Sequence, residues 1–169
     1  NSNNTQEDQV LKLLVIGGSQ GARPLNRIVP EALALISSDT RPQVWHQSGQ
    51  DHIDEVTDIY RQKSVQVKAE SFIDDMANAY QWADLVLCRA GALTITEIMS
   101  AGIASILVPL PYAIDDHQTK NAQWLLDNHA ALVLQQSEMT AGLLATLIAE
   151  LSKDSDKRCA MASAAKNLA

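Results

Sequence analysis

Residues 11–36 read LKLLVIGGSQGARPLNRIVPEALALI, and this stretch decides the fold class. Leu11 to Ile16 is an almost unbroken apolar run, the signature of a strand buried on both faces. It stops at Gly17-Gly18-Ser19-Gln20-Gly21-Ala22. From Arg23 to Ile36 the apolar residues Leu25, Ile28, Val29, Leu33 and Ile36 then recur at helical spacing. A buried strand, a glycine-rich turn and an amphipathic helix make the opening of a parallel βαβ unit.

The same alternation continues outward from this unit. Val44 to Gln47 reads as a second strand, followed by a charged helix from about Asp51 to Lys63. Val65 to Ala69 reads as a third strand, a short helix spans Met76 to Trp82, and Leu85 to Cys88 is a strongly apolar strand. Beyond it come a helix at Leu93–Ala101, a strand at Ser105–Val108, a long loop at Pro109–Asp116 and a helix at Gln118–Asp127. A strand at Ala131–Leu134, a helix at Thr140–Leu151 and a last helix from Asp156 complete the chain. Six buried strands alternating with helices predict a Rossmann-like, doubly wound parallel α/β sheet. Residues 1–9 (NSNNTQEDQ) lack periodicity and read as a linker or frayed terminus, leaving 10–169 as the folded domain. The final helix reaches Ala169 without a stop signal, which is expected of a piece of a longer protein.

Composition narrows the function. Of 169 residues, 46% are hydrophobic and 20% charged, as in an ordinary globular domain, and no run has the length of a membrane span. The net charge of −7 disfavours a nucleic-acid surface or an anionic lipid surface, since both reward basic faces. Cys88 and Cys159 lack metal-ligand spacing and read as reduced thiols, one on a buried strand and one in a C-terminal helix, in a cytoplasmic setting.

In such sheets ligands bind at the carboxyl ends of the strands, so the loops after each strand carry the function. The Gly17–Ala22 turn admits a phosphate at the helix start, or is simply a tight turn. Its spacing is not the dinucleotide fingerprint. The second strand also ends in Trp45-His46-Gln47-Ser48-Gly49 without the acid that would hold a nicotinamide ribose. The absence of Gly-Lys-Ser/Thr removes a P-loop. The richest segment is Cys88-Arg89-Ala90-Gly91-Ala92-Leu93-Thr94-Ile95-Thr96-Glu97, a buried strand entering a small-residue turn and a helix. Thr94 offers a hydroxyl at that helix start. Glu97 either accepts two ribose hydroxyls or merely complements the helix dipole. In Phe72-Ile73-Asp74-Asp75-Met76 either aspartate is an N-cap, while the Ile73 backbone can face a planar base. Asp115-Asp116-His117-Gln118 could hint at a metal, but it lacks a distant partner and reads more simply as solvated charge and a cap. His46, His52 and His129 have no triad-like company and read as structural or solvent-facing.

Four of these segments, Gly-Gly-Ser-Gln-Gly-Ala, Trp-His-Gln-Ser-Gly, Phe-Ile-Asp-Asp-Met and Gly-Ala-Leu-Thr-Ile-Thr-Glu, occur in an order and at separations that resemble the C-terminal domain of the MurG family. That family transfers N-acetylglucosamine to a lipid-linked cell-wall precursor, and the similarity runs from about Leu11 to Leu134. The resemblance implies one half of a GT-B architecture, the half that binds UDP-N-acetylglucosamine (UDP-GlcNAc). It implies that Gly18, Ser19 and Gln20 meet the donor's diphosphate or sugar. Ile73 would meet uracil through its backbone, and Ala92, Leu93 and Thr94 would place a helix start against the phosphates. Glu97 would take the ribose hydroxyls, and Gln118 the sugar hydroxyls with His117 beside it. The family more often has a second glutamine where His117 stands, which makes Gln118 the principal sugar contact.

It further implies an inverting reaction without metal or resident cofactor. The lipid I acceptor, the catalytic base and membrane contact at the cytoplasmic side of the inner membrane would all belong to an N-terminal domain absent from this chain. A stand-alone nucleotide-sugar-binding subunit with a partner chain, as in eukaryotic dolichol-linked transferases, and a UDP-sugar epimerase of the same architecture are the competing expectations.

Overall fold

A computed structural model describes residues 10–17, 22–111 and 117–169. The expectations for 1–9, for Gly18, Ser19 and Gln20, and for Asp115-Asp116 therefore lie outside the described residues. Six strands form one sheet: β1 (Lys12–Ile16), β2 (Gln43–Gln47), β3 (Lys68–Glu70), β4 (Leu85–Cys88), β5 (Ala104–Leu107) and β6 (Leu132–Val133). Their order is β3-β2-β1-β4-β5-β6 and every pairing is parallel. The chain winds outward from β1 to β3, then returns to pair β4 with β1 and winds out the other way. The strand order therefore reverses between β1 and β4, and in open α/β sheets the carboxyl ends at such a reversal form the ligand crevice.

Helices cover both faces. Along β1, Leu13 and Val15 join one core cluster and Leu14 and Ile16 the other, as the two-residue period requires. The first cluster takes in α1 (Arg23–Ala34), α2 (Ile53–Gln62) and α6 (Ala141–Lys153) through Leu25, Val29, Leu33, Val56, Tyr60, Leu144 and Ile148. The second takes in α3 (Met76–Trp82), α4 (Ala92–Ala101), α5 (His117–Asp127) and α7 (Ser155–Asn167) through Ala79, Tyr80, Ile95, Ile98, Ala122, Leu125 and Ala165. Each fully buried leucine contributes on the order of 2 kcal/mol by leaving water.

The expected strand at Val65–Ala69 is displaced to Lys68–Glu70. Ser64 adopts φ 55, and the Val65 N–H bonds back to the Tyr60 carbonyl, so Val65 closes α2 and plugs the core instead of extending a strand. Cys88 is buried and Cys159 exposed, and both are free thiols. Among the described residues no helix is long and apolar enough to cross a membrane.

Candidate functional site

In an all-parallel sheet the carboxyl ends of the strands share one edge, so the loops after β1, β2, β3, β4 and β5 gather there. The helix starts at this edge differ in how they are capped. Asp75 accepts from Asn78 N at 3.0 Å to cap α3 and Thr140 caps α6, while α2 lacks a side-chain cap but carries Asp54 and Glu55 in its first turn. In contrast, α4 begins at Gly91 with no side-chain cap and no acid in its first turn. The same holds for α1, which begins at Ala22 with a proline in its first turn. These two helices directly follow β1 and β4, the strands that flank the crevice. The backbone N–H groups of Ala92, Leu93 and Thr94 form the first turn of α4, and its first helical bond runs from Ile95 N to Gly91 O. Two uncapped positive helix ends beside one crevice make an anion-binding edge.

Glu97 lies about one and a half turns into α4 and is half-buried. Its Oε2 accepts the Tyr80 hydroxyl at 2.7 Å. Burial, and then this bond to Glu97, raise the Tyr80 phenol above its ordinary range. Burial likewise pushes up the Cys88 thiol, which also feels Glu97, so Cys88 stays a protonated core residue.

Ile73 is buried, and its N–H donates to Gln47 Oε1 at 3.0 Å. A planar base at this segment would therefore meet the Ile73 carbonyl, unless Gln47 turns away. Phe72 beside it is exposed.

Gln118, in the first turn of α5, aims Oε1 at two backbone donors, Leu110 N at 2.9 Å and Ala90 N at 3.3 Å. Asn121, one turn later, donates from Nδ2 to Ala90 O at 3.1 Å. Together they clamp both polar atoms of Ala90 and fix the turn that opens α4. Gly91 is uncrowded, since an added Cβ would meet nothing closer than Gln118 Nε2 at 4.0 Å. The structure thus brings Gln118 to the Ala90–Thr94 turn, with Glu97 further along α4, whereas Ile73 stands at the β2–β3 side of the edge. His117 opens α5 with its residue exposed. Arg89 is half-buried and directs its Nη1 at the carbonyls of Val108 and Pro109, with its pKa lowered by burial.

Sequence reasoning passed over Tyr80, Gln47 and Asn121. Gln47 had a usable signal, because strand alternation puts it on the same face as Trp45 and hence toward Ile73. Asn121 sits three residues after Gln118, on the same helix face. Nothing in the sequence ties Tyr80 to a carboxylate 17 positions away.

His46 is fully buried and does have company, of a structural kind. Asn26 Nδ2 donates to Ser48 O at 2.9 Å, which turns Asn26 Oδ1 toward His46 Nε2, also at 2.9 Å. That oxygen can only accept, so the imidazole carries its proton on Nε2, and Nδ1 accepts from the Tyr60 hydroxyl at 2.6 Å. Burial lowers the His46 pKa from 6.5 to about 3. This chain ties α1 and α2 to the end of β2. His129 closes α5 at φ 59 and serves as a turn residue. Among the described residues no three His, Cys, Asp or Glu side chains group as metal ligands would.

The chain is 50% identical, over 94% of its own length, to the UDP-N-acetylglucosamine--N-acetylmuramyl-(pentapeptide) pyrophosphoryl-undecaprenol N-acetylglucosamine transferase of Azotobacter vinelandii, of which it covers 45%. It is 53% identical over 92% of its length to the protein of that name from Nitrosococcus oceani, covering 44% of it. Among solved structures, Acinetobacter baumannii MurG superposes with a TM-score of 0.88 at 42% identity, over 97% of this chain and 47% of that one. The chain therefore spans a little under half the length of the relatives it matches. Its sheet and flanking helices are those of the C-terminal half of a GT-B glycosyltransferase. Residues 12–169 match the Glycosyltransferase family 28 C-terminal domain, and the chain belongs to that family.

Proposed function

We propose that residues 10–169 are the donor-binding domain of an inverting glycosyltransferase that moves N-acetylglucosamine from UDP-GlcNAc to the muramyl 4-hydroxyl of lipid I, giving lipid II for peptidoglycan. The observation that carries this reading is the pair of uncapped helix starts, α1 and α4, at the strand-order reversal, with Glu97 further along α4. The names of the relatives give the chemistry its substrates.

In this reading the diphosphate lies against the N–H groups of Ala92, Leu93 and Thr94 and against the Gly18-Ser19-Gln20 loop. Glu97 takes the two ribose hydroxyls on its carboxylate oxygens. Ile73 meets uracil through its backbone, and Gln118 offers Nε2 to the sugar hydroxyls while its Oε1 holds the Ala90 turn. His117 stands beside it. As the bond from C1 to the β-phosphate oxygen breaks, negative charge grows on UDP. Fixed helix dipoles stabilise that charge without reorganising, in the role a metal plays elsewhere.

The acceptor hydroxyl must lose a proton to a base. That base, the lipid I site and the peripheral attachment to the cytoplasmic face of the inner membrane are assigned to the other half of the enzyme. This chain alone then binds donor and transfers nothing. Calorimetric titration with UDP-GlcNAc, UDP-glucose and NADH tests the reading. Binding of the UDP-sugars but not NADH is expected, and preference for NADH, or turnover of lipid I by the 169-residue chain, contradicts it.

A further inference from the structure

We infer that Tyr80 is a positioning residue for the donor site: its hydroxyl holds the Glu97 carboxylate in the orientation that receives a ribose diol. The inference rests on the donor-site reading of Glu97 and adds a second residue to it.

The ring of Tyr80 is buried in the core cluster that α3 and α4 share with β4, and only 7% of the residue is exposed. A ring packed this way has little rotational freedom, so its Oη is a fixed point. Glu97 is different. It is half-buried on a long side chain, and water could satisfy its carboxylate in several rotamers. A bond of 2.7 Å from the fixed phenol to Oε2 selects one of them. A carboxylate has about four lone-pair sites, so one bond from Tyr80 leaves Oε1 and the second lone pair of Oε2 for a vicinal diol.

Tyr80 also connects two parts of the edge. It lies on α3, whose start is capped by Asp75, two residues beyond Ile73. One short helix thus spans from the segment read as the base contact to the carboxylate read as the ribose contact. Removing the phenolic oxygen frees Glu97 to adopt rotamers that miss the diol, while the packing of an otherwise identical ring is kept.

The test compares the unmodified chain, Tyr80→Phe, Glu97→Gln and the double variant, each titrated with UDP and with 2′,3′-dideoxy-UDP and each melted thermally as a check of folding. The unmodified chain is expected to prefer UDP, and Glu97→Gln to abolish that preference. Tyr80→Phe is expected to cut it by about tenfold, as befits loss of one charge-assisted hydrogen bond, with dideoxy-UDP affinity unchanged. In the Glu97→Gln background the tyrosine substitution should add nothing. Equal weakening of both nucleotides in Tyr80→Phe would reduce Tyr80 to a packing role, and an undiminished preference for UDP would remove its role altogether. If Glu97→Gln itself keeps the preference, or the unmodified chain binds no UDP at millimolar concentration, the donor-site reading falls first and the role of Tyr80 falls with it.

Discussion

Gln47 Oε1 and the backbone N–H of Ile73 meet at 3.0 Å, joining the end of β2 to the loop after β3 inside the core. Replacing Gln47 by Ala leaves a buried N–H without its acceptor, at a cost of about 1–3 kcal/mol. The expected result is a lower urea midpoint together with a loss of UDP affinity. A variant with native stability would show that the loop finds another acceptor and that Gln47 does not shape it.

His46 links stability to pH. Its folded-state pKa lies near 3, below the ordinary 6.5, so the unfolded chain takes up a proton in a range where the folded chain does not. This contribution is complete above about pH 6.5 and is lost as pH falls from there toward 3, at about 1.4 kcal/mol per pH unit. Denaturation followed from neutral pH to about pH 4 should show the dependence steepen toward that slope below about pH 6. His46→Gln, which cannot titrate, should be less stable at neutral pH but flatter with pH, and an identical slope in the variant would assign the effect to other groups.

Gly102 ends α4 at φ 62, and a Cβ there would come within 3.2 Å of Lys166 Cδ and 3.3 Å of Lys166 Cβ on α7. Gly102→Ala should destabilise the chain by about 1–2 kcal/mol from the left-handed backbone and the crowded α4–α7 contact. The residue lies at the end of α4 away from the site, so UDP affinity should hold under native conditions. A midpoint unchanged within error would contradict the strain argument.

Gln118 has two tasks that can be separated. Its Oε1 serves Ala90 and Leu110, and in the proposed donor site its Nε2 meets the sugar. Gln118→Ala is expected to weaken UDP-GlcNAc by about tenfold more than UDP, on the scale of one or two lost hydrogen bonds. Equal losses for the two ligands would mean that the residue only braces the Ala90 turn.

What was legible in the sequence follows from what is local. Leu11–Ile16, Leu85–Cys88 and the helix patterns between them carry their own periodicity, and the strands, helices and doubly wound class came from those patterns. Val65 shows the limit. A β-branched residue with strand propensity was drawn into closing α2 by a left-handed Ser64, a tertiary demand that propensity does not contain. In the candidate site, Glu97 is legible as a carboxylate near a helix start after a buried strand, whereas Gln118 is named only by the family resemblance. Tyr80, Gln47 and Asn121 are not legible, because each acts on an atom that only the folded chain brings near it: Glu97, Ile73 N–H and Ala90 O. The chain Asn26–His46–Tyr60 was hidden for the same reason, since its members come from α1, β2 and α2.

The most direct measurement is a heteronuclear NMR titration of the chain with UDP-GlcNAc, following every backbone amide. The carboxyl and amino ends of the strands present different surfaces. At the carboxyl edge stand Ile73 and the Ala90–Thr94 turn. At the amino end of β2 and β3 lies an open groove of about 550 Å³ lined by residues that include Arg41, Ser64 and Lys68. Saturable shifts confined to the first set, with the amides of Ala92, Leu93 and Thr94 moving most, are the expected result. Shifts centred on the Arg41–Lys68 groove, or none at the Ala90–Thr94 turn while the ligand binds, would contradict a donor site built on the start of α4.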